Sequence, residues 1–98
     1  MIDERLKQIA DHYGLDEQLN ILQEECAELI QAVSKYRRTG KPSNLYEEIT
    51  DVKILLQQID YLLDKKNSEC GIYSANAYNY FSEMKIKRQL ERIQNEEK

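Results

Sequence analysis

Tryptophan is absent from this 98-residue chain, and proline, histidine and phenylalanine occur once each. Only three glycines are present. A β-sandwich or barrel needs many tight turns, and such turns lean on glycine and proline, so the shortage argues against that class and for few, long helical elements. Two cysteines, Cys26 and Cys70, are too few for a disulfide scaffold and wrongly spaced for zinc; they read as two reduced thiols. No run of 18 apolar residues occurs, so no transmembrane helix and no membrane partner are expected. The N-terminus, MIDERLKQIADHY, is charged and lacks a signal-peptide core, which predicts a cytoplasmic protein. Positive charge is also in deficit. Fourteen Lys and Arg against 18 Asp and Glu leave −4, which argues against a nucleic-acid polymer as partner. An acidic protein that handled phosphates would need metal ions to bring them in.

What is present points to one globular domain over residues 1–98. Hydrophobic residues make 41 % and charged residues 33 %, too apolar for a disordered chain. The spacing predicts an all-α fold of four helices. The first covers about residues 3–12, with Ile2, Leu6, Ile9 and Tyr13 at helical spacing and Gly14 as its stop. Asp16 is a suitable N-cap for the second, which runs to about Arg38 with an apolar stripe of Leu19, Leu22, Cys26, Leu29, Ile30, Val33 and Tyr36. Thr39-Gly40-Lys41-Pro42 breaks the pattern, and so short a loop makes the next helix an antiparallel neighbour. Asn44 with Glu47 resembles a capping box for a third helix that ends near Asp64. After a polar connection, a fourth helix spans about residues 75–94, and residues 95–98 form a frayed tail.

The second and third helices hold acids where apolar residues belong. On the third, Leu45, Ile49, Val52, Leu56, Ile59 and Leu63 form one stripe that Leu55 and Leu62 widen. Glu48 falls inside it and Asp51 at its edge. On the second, Ile21, Glu25, Glu28, Ala32 and Lys35 make a line beside the main stripe, while Glu24 points further round. Two antiparallel helices thus present the i, i+3 pairs Glu25/Glu28 and Glu48/Asp51 on or beside their packing faces. Burying an ionised carboxylate is costly unless it is paired, and four together repel one another. A hard divalent cation relieves both problems. Oxygen-only ligands suit Mg²⁺, with Mn²⁺ as a substitute, and Mg²⁺ takes phosphate oxygens as remaining ligands.

Glu24-Glu25-Cys26-Ala27-Glu28 followed by Glu48-Ile49-Thr50-Asp51 resembles the EExxE…ExxD pattern of the MazG-like, all-α nucleoside triphosphate pyrophosphohydrolases. The surrounding LQEECAELIQAVSKYRR and NLYEEITDVKILLQQI are similar to that family around both motifs, and the tail KIKRQLERI is similar to its small single-domain bacterial and phage members. The resemblance covers roughly residues 15–93. Lys53 departs from it, standing where the family pattern has an apolar residue. The resemblance implies a four-helix bundle that assembles as a dimer or a dimer of dimers. It implies Mg²⁺-dependent hydrolysis of an NTP or dNTP between the α and β phosphates, and a house-cleaning hydrolase acting on surplus or non-standard nucleotides. By motif position, Glu25, Glu28, Glu48 and Asp51 are the metal ligands and catalytic residues.

Further candidates would meet the rest of a nucleotide. Lys35 lies on the Glu25/Glu28 line two turns later, where it can face phosphates. Tyr80, Lys87 and Arg88 extend one face of the fourth helix, offering a flat ring to a base and cations to phosphates. The competing reading is a non-catalytic helical interaction or nucleotide-binding module whose acidic face meets a basic partner. Apolar surface on four helices of so small a chain also predicts a homo-oligomer, a homodimer or homotetramer.

Overall fold

The structure, a computed structural model, describes residues 2–71 and 73–97. Four helices account for nearly all of them: α1 (Glu4–Tyr13), α2 (Leu15–Thr39), α3 (Ser43–Lys66) and α4 (Ser74–Glu96), and no strand occurs among the described residues. The Asp3 side chain caps α1 by accepting the Arg5 N–H at 2.9 Å. Gly14, at φ 82°, ends it and donates its N–H to the Ala10 carbonyl at 2.8 Å. That left-handed backbone favours glycine and lets α2 begin at the next residue. Asp16 is therefore not the N-cap expected of it. It lies with Glu17 in the first turn of α2, where a carboxylate suits the helix dipole. Gly40, at φ 70°, closes α2 in the same way.

The expected Asn44 capping box does not form either. Pro42 already has helical dihedrals, and its carbonyl accepts the Tyr46 N–H at 2.9 Å, so α3 starts ahead of Asn44. Proline fits such a position because it has no N–H to satisfy and its φ is preset. A single 3₁₀ turn, Ser68–Cys70, leads out of α3. Asp64 then fixes the start of α4 by accepting the Ser74 N–H at 2.6 Å and the Ser74 hydroxyl at 2.8 Å. The end of α4 runs two residues beyond the expected Gln94. Of the tail expected to fray, Asn95 and Glu96 are helical and Lys98 lies outside the described residues.

Helices α2 and α3 form the main antiparallel pair, and α1 packs against both, most extensively on α3. Asp11 ties α1 to α3 by accepting hydrogen bonds from the Tyr61 hydroxyl at 2.9 Å and from Lys65 Nζ at 3.0 Å. Among the described residues the buried ones are Ala10, Ala32, Leu55, Ile59 and Leu62, together with two glutamines, Gln18 and Gln58. Burying an amide oxygen without a partner costs about 1–3 kcal/mol, and Gln18 Oε1 has none.

The inward face of α2 is rotated from the leucine-rich stripe that its sequence advertises. Cys26 is exposed, as are Leu19, Ile30, Val33 and Tyr36, with Ile30 at 69 %. The line containing Gln18, Ile21, Glu25 and Ala32 turns inward instead. On α3 the face likewise shifts toward Leu55, Gln58, Ile59 and Leu62, leaving Leu56 and Leu63 partly open. Among the helices α4 touches α3 alone and buries no residue of its own. The chain consequently exposes 8099 Å², against about 5,800 Å² for a compact monomer of its 11.6 kDa mass. No helix among the described residues is long and apolar enough to cross a membrane.

Candidate metal centre

The rotation of α2 and α3 carries Glu25 and Glu48 inward and leaves Asp51 exposed at the rim beside them. Glu25 from α2 and Glu48 and Asp51 from α3 each place one carboxylate oxygen within 4.8 Å of the other two. Helical spacing produces this convergence: Glu48 and Asp51 stand one turn apart on α3, and the antiparallel α2 brings Glu25 opposite them. Glu25 and Glu48 are half-buried. One oxygen of each, Oε2, is shielded from solvent and lacks a hydrogen-bond donor. None of the three ion pairs found among the described residues involves these acids.

Glu28 belongs to the cluster less closely. It is exposed and stands outside the group of three converging oxygens. Its carboxyl nevertheless lies near enough to Glu48 to repel it. Burial pushes the Glu48 carboxyl above its usual range, and repulsion from Glu28 and Asp51 adds to this. Glu25 is raised for the same reasons, first by burial and then by Glu28, Asp51 and Glu48, with Glu24 contributing least. The small part played by Glu24 matches its outward position on the helical wheel.

A set of carboxylate oxygens is the donor chemistry that a hard dication takes, and such an ion would offset their mutual repulsion. Mg²⁺ with oxygens at about 2.1 Å spans at most about 4.2 Å between opposite ligands, so the observed 4.8 Å requires only a slight inward movement of flexible side chains.

Two clefts flank the acids. One, of about 520 Å³, is lined by Glu28 and Glu48 together with Lys35, Arg38, Gln31 and Asn44. The other, of about 280 Å³, lies between α1, α2 and α3 and is lined by Glu25 and Asp51 together with apolar and amide side chains. Lys35 therefore stands where its place on the Glu25/Glu28 line put it. Tyr80, Lys87 and Arg88 do not join it: they stand on α4, and none of them lines either cleft. Tyr80 instead packs edge-on against Phe81, and Arg88 shares a surface groove with Glu91 and Arg92. Lys53 is exposed and takes no part.

Sequence reasoning passed over Arg38, Asn44, Gln18 and Gln58. A signal for three of them existed. Gln18 precedes Ile21 by three on the inward line of α2, Arg38 follows Lys35 by three, and Gln58 follows Leu55 by three on the inward line of α3. No protein-family model, curated protein or solved structure matches this chain.

Proposed function

We propose that this chain is a Mg²⁺-dependent nucleotide pyrophosphohydrolase of the MazG-like, all-α kind, cleaving an NTP or dNTP between the α and β phosphates to a nucleoside monophosphate and pyrophosphate. The observation that carries the reading is the convergence of Glu25, Glu48 and Asp51 oxygens within 4.8 Å, two of these acids holding orphaned buried oxygens, beside a cleft that contains Lys35 and Arg38. Glu25, Glu48 and Asp51 would hold the metal, with Glu28 as the fourth acid at its edge. Mg²⁺, or Mn²⁺ in its place, supplies charge neutralisation at the phosphate oxygens when bound.

The chain's own residues do the rest. Lys35 and Arg38 hold the negatively charged β and γ phosphates and so orient the bond to be broken. A water oxygen bonds to the α phosphorus while the bond from that phosphorus to the α–β bridging oxygen breaks. Pyrophosphate departs with the electron pair, and the proton of the water passes to a carboxylate. Glu28, which stands at the edge of the cluster outside the three converging oxygens, is placed to take it.

A homodimer or homotetramer belongs to this reading. The exposed surface of one chain exceeds that of a compact monomer by roughly 2,300 Å², more than the about 600–1,000 Å² that each partner gives to an ordinary stable interface. Tyr78, Phe81, Ile86, Leu90 and Ile93 of α4 contribute to that excess.

The test is pyrophosphate release from a panel of NTPs and dNTPs with and without Mg²⁺. Turnover of at least one nucleotide that depends on the metal, and its loss in a folded Glu48→Gln variant, is the expected result. No release from any nucleotide overturns the reading and favours an acidic interaction module.

A further inference from the structure

Helix α4 carries the same apolar spacing twice, on opposite sides. Ala77, Phe81 and Met84 follow one another at four and three residues, and so do Ile86, Leu90 and Ile93. Each member of the second trio stands nine residues after its counterpart in the first. At about 100° per residue, that displacement turns it about 180° round the helix. The first line faces α3: Ala77 and Phe81 share a groove with Asp60 and Leu63, and the Ser74 hydrogen bonds to Asp64 fix the start of α4 on that helix. The second line therefore faces away from its own chain. Ile86, Leu90 and Ile93 are 51 %, 57 % and 48 % exposed, and among the described elements α4 packs on α3 alone.

We propose that the C-terminal half of α4 is a docking arm for a second copy of this chain, with Ile86, Leu90 and Ile93 resting on the exposed stripe of Leu19, Ile30 and Val33 on α2 of that copy. The stripe is as open as the arm: its three residues stay 40 %, 69 % and 42 % exposed although α1 and α3 both pack on α2. Each chain thus holds two uncovered apolar surfaces and cannot join its own. Turning Leu90 inward requires half a revolution of α4, which breaks the Asp64 tie at its start and lifts Phe81 out of its groove. A copy related by a two-fold axis answers both needs at once, each arm lying on the other's α2. The area agrees, since the excess of roughly 2,300 Å² over a compact monomer is ample for what each partner gives to a stable interface. So does the charge. From Glu83 to Glu97 four acids balance four Lys and Arg, so this half of α4 has no net attraction for anionic lipid or a polyanion. The inference does not depend on the chain hydrolysing nucleotides.

The experiment reads contacts between copies directly. Equal parts of ¹³C-labelled and unlabelled full chain are unfolded in urea and refolded together, without nucleotide or metal, and isotope-filtered NOE spectra are recorded. The Ile86, Leu90 and Ile93 methyls should show NOEs to methyl protons of Leu19, Ile30 or Val33 in the unlabelled copy. In sedimentation equilibrium, Leu90→Asp should raise the dissociation constant about tenfold or more, while Arg92→Asp, on another side of the helix, should change it by less than about twofold. Leu90 is already open to solvent in one chain, so the variant should keep its helical circular dichroism. A monomer of 11.6 kDa overturns the proposal, as does an assembly whose α4 methyls meet only their own chain or the other copy's α4. Equal effects of the two substitutions overturn it too. Binding of a monomeric chain to phosphatidylglycerol vesicles, lost in Leu90→Asp, also overturns it and gives this face to lipid. A chain that hydrolyses no nucleotide yet shows the α4-to-α2 NOEs supports the arm and removes the enzyme.

Discussion

Adding Mg²⁺ to the metal-free protein should raise its melting temperature, and the size of the rise follows from the acid cluster. Three carboxylates whose oxygens lie within 4.8 Å carry −3 when ionised, and Glu28 against Glu48 makes −4. One dication brings that to −2. Monovalent salt is a poor substitute, because the Debye length at physiological ionic strength is about 8 Å, longer than the separation of the charges. Glu25 and Glu48 lie on different helices and converge only in the folded chain, so the ion binds the native state selectively. Stabilisation then grows as RT ln(1 + [L]/Kd), about 1.4 kcal/mol at ten times Kd and about 2.7 kcal/mol at a hundred times. For a domain of this size, about 1 kcal/mol moves the midpoint by roughly 4–8 °C. A rise of about 6–11 °C at tenfold excess, and about twice that at a hundredfold, is therefore expected. Thermal melts by circular dichroism, after EDTA treatment and against NaCl of equal ionic strength, measure it. A midpoint that ignores Mg²⁺, or one that moves equally in Glu48→Gln, refutes the claim that these oxygens form a cation site.

The acids also set a pH dependence. Burial and mutual repulsion hold Glu25 and Glu48 above the ordinary carboxyl value of 4.5, so the folded state binds protons more tightly than the unfolded one. Stability of the metal-free protein should fall as pH rises from that value through their raised range and level off above it. Urea midpoints measured between pH 4.5 and neutrality should show this slope, and Glu48→Gln should reduce it. A residual slope is expected from Asp60, which burial raises in the same sense. Asp3, held at about 2 chiefly by its hydrogen bond from Arg5, and the similarly lowered Asp11 act below this window. Ile59→Ala should destabilise the chain by about 2–5 kcal/mol in urea, since Ile59 is 5 % exposed in the small core. Light scattering after size exclusion should give a dimer or larger rather than 11.6 kDa, and Ile86→Asp on the open face of α4 should weaken that assembly.

Helix number and most helix ends were legible from simple signals. Gly14 and Gly40 mark the ends of α1 and α2, and the polar stretch after Asp64 marks the exit from α3. The orientation of the helices was less so. Leu19, Ile30 and Val33 make the most apolar stripe on α2, yet they remain exposed while Gln18 and Ala32 are buried. Hydrophobic periodicity locates apolar surface without saying whether it meets another part of the same chain. A short chain with more apolar surface than its own core consumes breaks the usual inference from stripe to interior. Glu25, Glu48 and Asp51 could still be identified because an acid on an apolar line is conspicuous. Gln18 and Gln58 were harder to find: each stands three residues from an apolar residue of an inward line, but glutamine is the ordinary filler of solvated helix faces and a pattern of apolar residues passes over it. The basic end of α4 carried the opposite difficulty. Lys87 and Arg88 continue an apolar stripe, but the place of that stripe depends on Asp64 fixing the start of α4, a tertiary contact that no local pattern contains.

The antiparallel pairing of α2 and α3 imposes an order on the groove between them. At one end Gln18 and Gln58 line a cleft that reaches Glu25 and Asp51, in the middle Glu25 stands opposite Glu48 and Asp51, and at the other end Lys35 and Arg38 share a cleft with Asn44, Glu28 and Glu48. The rise of α2 sets these stations about 10 Å apart from Gln18 to Glu25 and about 15 Å apart from Glu25 to Lys35. The proposed substrate would ask for the last two of these: a phosphate that tolerates acids only through a metal, then terminal phosphates that want cations. An acidic patch evolved to dock a basic protein would need none of this. It would display its carboxylates to solvent, whereas Glu25 and Glu48 hide an oxygen each, and it would gain nothing from an orphaned amide at one end and two cations at the other. Reversing the charge at Lys35 distinguishes the two cases. Lys35→Glu strengthens a basic partner's hold on an acidic face, but it places a fifth carboxylate where a nucleotide's outer phosphates would lie, and so should raise KM for the nucleotide about tenfold or more.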